Sequence, residues 1–215
     1  MKKFLIFDFD GVIANTEKSN ADYLARALAV YGITLSEEDR KTLIGTSDKS
    51  RLSDILRRST VPVTWERLAE TRREIGNTYE NGDIRPMDGL VSMIRFFRER
   101  GIRTAIASST STKFIITALN RLEMLPLFDV IVCGDMCTRS KPDPEIYSRA
   151  MEYLEAEPEE CVIIEDSTPG ICAGRASGAV VMAYTGSGIY QNISEANLAV
   201  EDYGICKEKL LAYGF

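Results

Sequence analysis

A chain of 215 residues, 45% hydrophobic and 27% charged, has an ordinary globular composition and is long enough to bury a core without disulfide or metal staples. Its net charge of −6 argues against a general nucleic-acid or anionic-membrane surface. There is no histidine, which removes serine–histidine triads, histidine zinc sites and imidazole acid–base chemistry together. Catalysis here must run on carboxylates, hydroxyls, lysines or a bound metal.

Met1-Lys2-Lys3 followed by Phe4-Leu5-Ile6-Phe7 has the look of a signal peptide, but the apolar run stops at Asp8, short of an h-region of ~7 residues or more. Residues 4–7 therefore read as a buried strand. No stretch approaches the ~18 apolar residues of a membrane span, so a soluble, cytoplasmic protein is expected. Between 16 and 85 no convincing strand follows. Leu24, Leu28 and Tyr31 recur at helical spacing, as do Leu52, Ile55 and Leu56. Gly32 and Gly45 read as helix ends, and Val61-Pro62-Val63-Thr64 as a linker into a helix beginning near Trp65. Arg85-Pro86-Met87-Asp88-Gly89 marks the return from this insert.

After residue 101 strands and helices alternate. Strands are expected at 102–107, 129–133, 161–165, 179–184 and 198–200, and helices at 112–122, 145–154, 169–177 and 205–213. Continuous apolar strands interleaved with helices indicate a parallel sheet covered on both faces. The fold expected is α/β, a Rossmann-like parallel-sheet core (residues 1–15 and 86–215) with an inserted all-helical domain (residues 16–85). The five cysteines form no C-x-x-C pair, and an odd number closes no disulfide framework. They read as reduced core residues.

The chemistry gathers where strands end. Asp8-Phe9-Asp10-Gly11 follows the first strand directly, and side chains two apart point the same way. Two carboxylates so close repel unless a cation or a proton intervenes. Open parallel sheets also bind ligands beyond the carboxyl ends of their strands. Ile106-Ala107 runs into Ser108-Ser109-Thr110, hydroxyls and amides at a helix start, suited either to phosphate or to simple capping. Ile163-Ile164 runs into Glu165-Asp166, with Pro169 placed for the first position of the next helix. Two prolines stiffen Ser140-Lys141-Pro142-Asp143-Pro144 beside one lysine. Together these supply oxygen ligands for a hard cation, a phosphate cradle and a fixed ammonium.

The four motifs, Asp8-Phe9-Asp10-Gly11-Val12, Ser108, Lys141-Pro142-Asp143-Pro144 and Glu165-Asp166-Ser167, come in the order and spacing of the haloacid dehalogenase superfamily. The chain resembles its phosphatase and phosphomutase branch with a helical cap, close to the β-phosphoglucomutases. The resemblance implies that Asp8 attacks phosphorus and becomes an aspartyl phosphate. It implies that Asp10 protonates the leaving oxygen and then activates the acceptor, while Ser108 binds a phosphoryl oxygen, helped by Ser109 or Thr110. Lys141 would neutralise charge. Asp8, Asp166 and the Asp10 carbonyl would hold Mg²⁺, with Glu165 a direct ligand or one step removed. The insert would form a substrate-selecting lid, with Asn20, Gly45 and Lys49 facing the substrate and Gly45–Lys49 at the specificity loop. Lysine–proline bonds at this motif can be cis in such relatives, and Lys141–Pro142 is expected so.

Two positions depart from the family pattern. Asn15 stands where aspartate is common and reads as a cap for the first helix of the insert. Asn20 stands where related sugar phosphomutases, and many related phosphatases, carry histidine, so a proton cannot be exchanged there near neutral pH. Hydrolysis of a small phosphomonoester, such as a sugar phosphate, is therefore the leading expectation, ahead of a β-phosphoglucomutase-like transfer. A 2-haloacid dehalogenase needs neither the metal nor the second aspartate, and a receiver-like phosphoprotein is shorter and lacks the insert. The partner expected is a small phosphorylated metabolite, with no nucleic acid and no membrane, for a monomer or weak homo-oligomer.

Overall fold

The computed structural model describes residues 3–39, 49–189 and 191–215. The chain divides into two compact units, Met1–Asn15 with Arg85–Phe215, and Thr16–Ile84. The first is built on β1 (Phe4–Phe7), β2 (Arg103–Ser108), β3 (Val130–Cys133), β4 (Cys161–Glu165), β5 (Val180–Tyr184) and β6 (Leu198–Val200). They form one six-stranded sheet in the order β3-β2-β1-β4-β5-β6, parallel throughout. In register, Phe4 to Phe7 face Arg103 to Ile106 of β2 on one side and Cys161 to Ile164 of β4 on the other.

The apolar runs are continuous because both faces of the sheet are buried. Phe4 and Ile6, with Ala105, Ala107, Ile163 and Val181, pack against Ile146, Tyr147 and Ala150 of α7 (Glu145–Leu154) and Ile171 and Ala173 of α8 (Thr168–Ala176). Alternate residues Leu5, Phe7, Ile106, Val162 and Ile164 point the other way and are equally buried. Each such side chain removed from water contributes roughly 1.5–3 kcal/mol. Helix α5 (Leu90–Arg98), which packs on β2 and on α9 (Tyr203–Ala212), is absent from the sequence reading. Its Leu90, Met93, Ile94 and Phe97 are buried, an i, i+3, i+4, i+7 stripe on a short stretch of sequence between residue 89 and β2.

The second unit is helical in its described residues: α1 (Glu17–Ala29), α2 (Lys49–Leu56), α3 (Trp65–Ile75) and the single turn α4 (Thr78–Asn81). Leu24, Leu28, Tyr31, Ile55, Leu56 and Leu68 form its core. Thr64 caps α3, accepting from the Arg67 amide at 3.3 Å. Thr16, and not Asn15, occupies the N-cap position of α1, without a side-chain cap bond. Arg85, counted with the insert on sequence, falls in the α/β unit because its carbonyl accepts the Asn15 amide at 3.1 Å. All five cysteines are free. Among the described residues no helix is long and apolar enough to cross a membrane.

Candidate active site

The strand order reverses between β1 and β4, with β2 and β3 laid down on one side and β5 and β6 on the other. Loops leaving the carboxyl ends of strands diverge at such a reversal and leave a crevice. Asp8 remains tied to the sheet there, its amide donating to the Ile164 carbonyl at 3.0 Å, and it is buried. The chain then turns sharply. The Ile13 and Ala14 amides donate to the Phe9 carbonyl at 2.9 and 3.1 Å, and the Gly11 amide to that of Ala14 at 2.9 Å. Gly11 has φ +77°, and a β-carbon there would strike the Asp166 carboxylate, so glycine is required twice over. From α9, the Tyr203 hydroxyl donates to the Val12 carbonyl at 2.6 Å. Asp10 leaves this braced turn, and its Oδ2 accepts from Thr110 Oγ1 at 2.9 Å.

Lys141 comes from the loop between β3 and α7, and its bond to Pro142 is cis. Glu145, in the first turn of α7, clamps that loop. Its carboxylate accepts the Thr138 amide at 3.0 Å, the Thr138 hydroxyl at 2.8 Å and the Arg139 amide at 2.8 Å, and pairs with Arg149 at 2.8 Å. Held this way, Lys141 Nζ lies 2.5 Å from Asp8 Oδ1, 2.8 Å from Glu165 Oε1 and 3.1 Å from the Ala107 carbonyl. It also sits 4.8 Å above the Tyr147 ring. With a side chain 6% exposed, it is no solvated surface charge.

Burial pushes the Asp8 carboxyl up to about 7; Lys141 opposes this, and Glu165 and Asp10 add to it. Burial alone would lower the Lys141 ammonium, but the Asp8 and Glu165 carboxylates outweigh it and raise it well above its ordinary range. Glu165 is 1% exposed. Besides Lys141, its Oε1 accepts the Tyr147 hydroxyl at 3.2 Å and its Oε2 the Ser167 amide at 2.6 Å. A β-carbon on Gly170 would collide with this carboxylate, so α8 starts close upon it. Thr168 is the first residue of α8, and Pro169 the second.

Ser108, the last residue of β2, is 1% exposed. Its Oγ accepts the Thr110 amide at 3.1 Å, which leaves the hydroxyl proton to donate. Ser109 is exposed. The expected cradle is narrower than the sequence suggests. The Thr110 hydroxyl is turned onto Asp10, and the Thr112 amide and hydroxyl, opening α6 (Thr112–Arg121), donate to Asp135 at 2.9 and 2.7 Å.

The donors around Asp8 and Asp166 are all oxygens, which suits a hard cation. Among the described residues no three His, Cys, Asp or Glu side chains form a ready metal cluster; the set that the family resemblance implies is Asp8 and Asp166 with the Asp10 main-chain carbonyl, and Glu165 direct or one step removed. Two observations fit a cation there. Lys141 is divided between Asp8 and Glu165 with Asp10 beside them, so negative charge exceeds positive. Ser187 Oγ, close to Asp166 and Gly11, is buried without a hydrogen-bond partner.

In the helical unit, Asn20 Oδ1 accepts the Thr78 hydroxyl at 2.7 Å, which takes up one of its two lone pairs. Gly45 lies outside the described residues, and only the backbone of Lys49 is described. Sequence reasoning missed the Thr110–Asp10 bond, the Glu145 clamp and Tyr147. An acidic residue directly after Asp143-Pro144 reads as a complement to the helix dipole, not as a ligand for the loop behind it.

The family model described as haloacid dehalogenase-like hydrolase matches residues 5–184. The chain is 29% identical to the phosphorylated carbohydrates phosphatase of Thermotoga maritima over 81% of each chain. It is 31% identical to the protein CbbY of Cereibacter sphaeroides, covering 83% of this chain and 82% of that one. A β-phosphoglucomutase structure from Clostridium difficile superposes with a TM-score of 0.73 at 26% identity, covering 99% of both chains.

Proposed function

Since the chain belongs to the haloacid dehalogenase-like hydrolases, we propose that it hydrolyses a small phosphomonoester, of the sugar phosphate class to which its named relatives point, through a phosphate ester formed on Asp8. The observation that carries this is the single buried ammonium of Lys141 joining Asp8 at the end of β1 to Glu165 at the end of β4. That arrangement fixes one oxygen of Asp8 and leaves the other for phosphorus.

In the first half-reaction an Asp8 oxygen bonds to phosphorus, the ester P–O bond breaks, and Asp10 gives a proton to the departing alkoxide. In the second, Asp10 takes a proton from water, whose oxygen attacks the same phosphorus, and Asp8 leaves as carboxylate. Thr110 holds Asp10 for both proton transfers. Ser108 donates to a phosphoryl oxygen, and Lys141 offsets charge on Asp8. Asp8, Asp166 and the Asp10 carbonyl would hold Mg²⁺, which when bound offsets the repulsion between carboxylate and phosphate. Of the two roles the sequence left open for Glu165, the outer one is favoured, because both its oxygens already accept from groups in the chain.

A phosphomutase reading draws on the β-phosphoglucomutase likeness. Asn20, part of whose amide is tied to Thr78, favours hydrolysis over it, since a mutase must withhold water from the intermediate. The test is a screen of phosphorylated metabolites with Mg²⁺, run beside Asp8→Asn and EDTA-treated enzyme. Phosphate release is expected from wild type and from neither control. Appreciable turnover by Asp8→Asn, or full activity without metal, would sink the mechanism. With β-glucose 1-phosphate and a trace of bisphosphate, rapid isomerisation without phosphate release would make the enzyme a mutase.

A further inference from the structure

Ser187 follows β5, the strand next to β4, and takes no part in the chemistry assigned above. Its Oγ is the one buried side-chain nitrogen or oxygen without a hydrogen-bond partner among the described residues. Buried hydroxyls are costly unless paired, and an orphan points to an unseen water or ion. The position is specific. Ser187 Cβ lies 3.4 Å from the point that a β-carbon on Gly11 would occupy, and the Asp166 carboxylate crowds that same point. Ser187 therefore stands where the Asp10–Gly11 turn meets Asp166.

The loop that presents it is tied down on both sides. The Gly188 amide donates to the Thr185 carbonyl at 3.3 Å, closing a turn around Gly186 and Ser187, and the Thr185 amide donates to Val200 of β6 at 2.8 Å. Farther along, Thr168 Oγ1 at the head of α8 donates to Gln191 Oε1 and to the Asn192 carbonyl, both at 3.1 Å. A cleft of ≈ 460 Å³ lined by Tyr184, Thr185, Gln191 and Asn192 opens beside Asp166, so water reaches that carboxylate from the β5 side.

A hydroxyl with one proton and two lone pairs suits water better than it suits a bare cation already supplied with carboxylates. Hard divalent ions, Mg²⁺ above all, keep several of their waters. We propose that Ser187 belongs to the cation site, its hydroxyl holding a water of the ion's hydration shell beside Asp166. This rests on the metal assignment made under the proposed function, and the experiment separates the two.

Calorimetric Mg²⁺ titration of wild type, Asp166→Asn and Ser187→Ala is the first arm. Asp166→Asn is expected to lose binding, and Ser187→Ala to bind ~10-fold more weakly, the usual effect of an outer-shell partner. Thermal unfolding is the second arm. In EDTA, Ser187→Ala should melt at or above the wild-type temperature, because an orphan hydroxyl has been removed; at fixed Mg²⁺ it should melt below wild type, because ligand binding stabilises it less. Wild-type affinity in Ser187→Ala, with binding lost in Asp166→Asn, overturns the role of Ser187 alone. An equal deficit in EDTA and Mg²⁺ does the same, since it marks a purely structural hydroxyl. No Mg²⁺ binding by wild type, or binding untouched by Asp166→Asn, overturns the metal assignment and this inference together.

Discussion

Lys141 reaches two carboxylates from a side chain that is 6% exposed. Lys141→Met keeps much of its volume but leaves Asp8 and Glu165 facing each other without their ammonium. Breaking a buried pair in this way costs about 3–5 kcal/mol, and urea denaturation in EDTA at pH 7 should show a loss of that order. The deficit should shrink toward pH 5, because Asp8, already pushed up to about 7 by burial, takes up a proton more readily without the opposing ammonium. Lys141→Met with Glu165→Gln should regain part of it. A loss independent of both pH and Glu165 would mean that packing, and not charge, is at stake. Thr110 offers a contrasting test. Thr110→Val keeps its shape but removes the donor to Asp10 Oδ2. Turnover should fall ~10-fold with KM little changed, as a misoriented proton carrier implies; steady-state kinetics on the best phosphate ester would show it.

The loop ahead of α7 is an element built around one residue. The amide and hydroxyl of Thr138, with the Arg139 amide and Arg149, hold the Glu145 carboxyl down at about 2, against an ordinary 4.5. A depressed folded-state pKa means that Glu145 contributes its full stability above about 4.5 and loses it as pH falls toward about 2. Urea midpoints of wild type should decline through that window, and Glu145→Gln should decline less. The variant should also lose turnover, because the clamp positions Lys141. This element shows where sequence reading ends. Glu165 and the aspartates were legible because they follow apolar runs at strand ends, where chemistry and topology coincide, and Lys141 because two prolines stiffen the loop around it. The ligands of Glu145 and the partner of Thr110 were not, since side-chain pairing across the fold leaves no local pattern. α5 is a different case. Its stripe at 90, 93, 94 and 97 is readable, but nine residues carry a weak periodic signal between the Arg85–Gly89 turn and β2. Asn15 looked like a cap by type, whereas the backbone places Thr16 there.

The whole molecule is two units, each with its own core. Asp8, Asp10, Ser108, Lys141 and Asp166 all lie in the α/β unit, whose chain leaves at Asn15 and returns at Arg85 across one hydrogen bond of 3.1 Å. Replacing 16–84 with a short glycine-rich turn should therefore leave a folded protein that binds Mg²⁺ and cleaves an activated ester such as p-nitrophenyl phosphate, while discrimination among metabolites is lost. Circular dichroism and calorimetry would check the first part; an unfolded product would show that the α/β unit depends on its insert. The same junction bears on how the chain assembles. β1 pairs with β2 and β4, both encoded beyond the insert, and closing a loop costs about 0.6 kcal/mol more for each doubling of its length. An insert that collapses first on its own local contacts brings Asn15 and Arg85 together, so β1 searches for its neighbours as if the helical unit were a turn. The order of the search is then helices first and sheet afterwards, and destabilising the insert core at Leu28 or Ile55 would slow folding of a sheet those residues do not belong to.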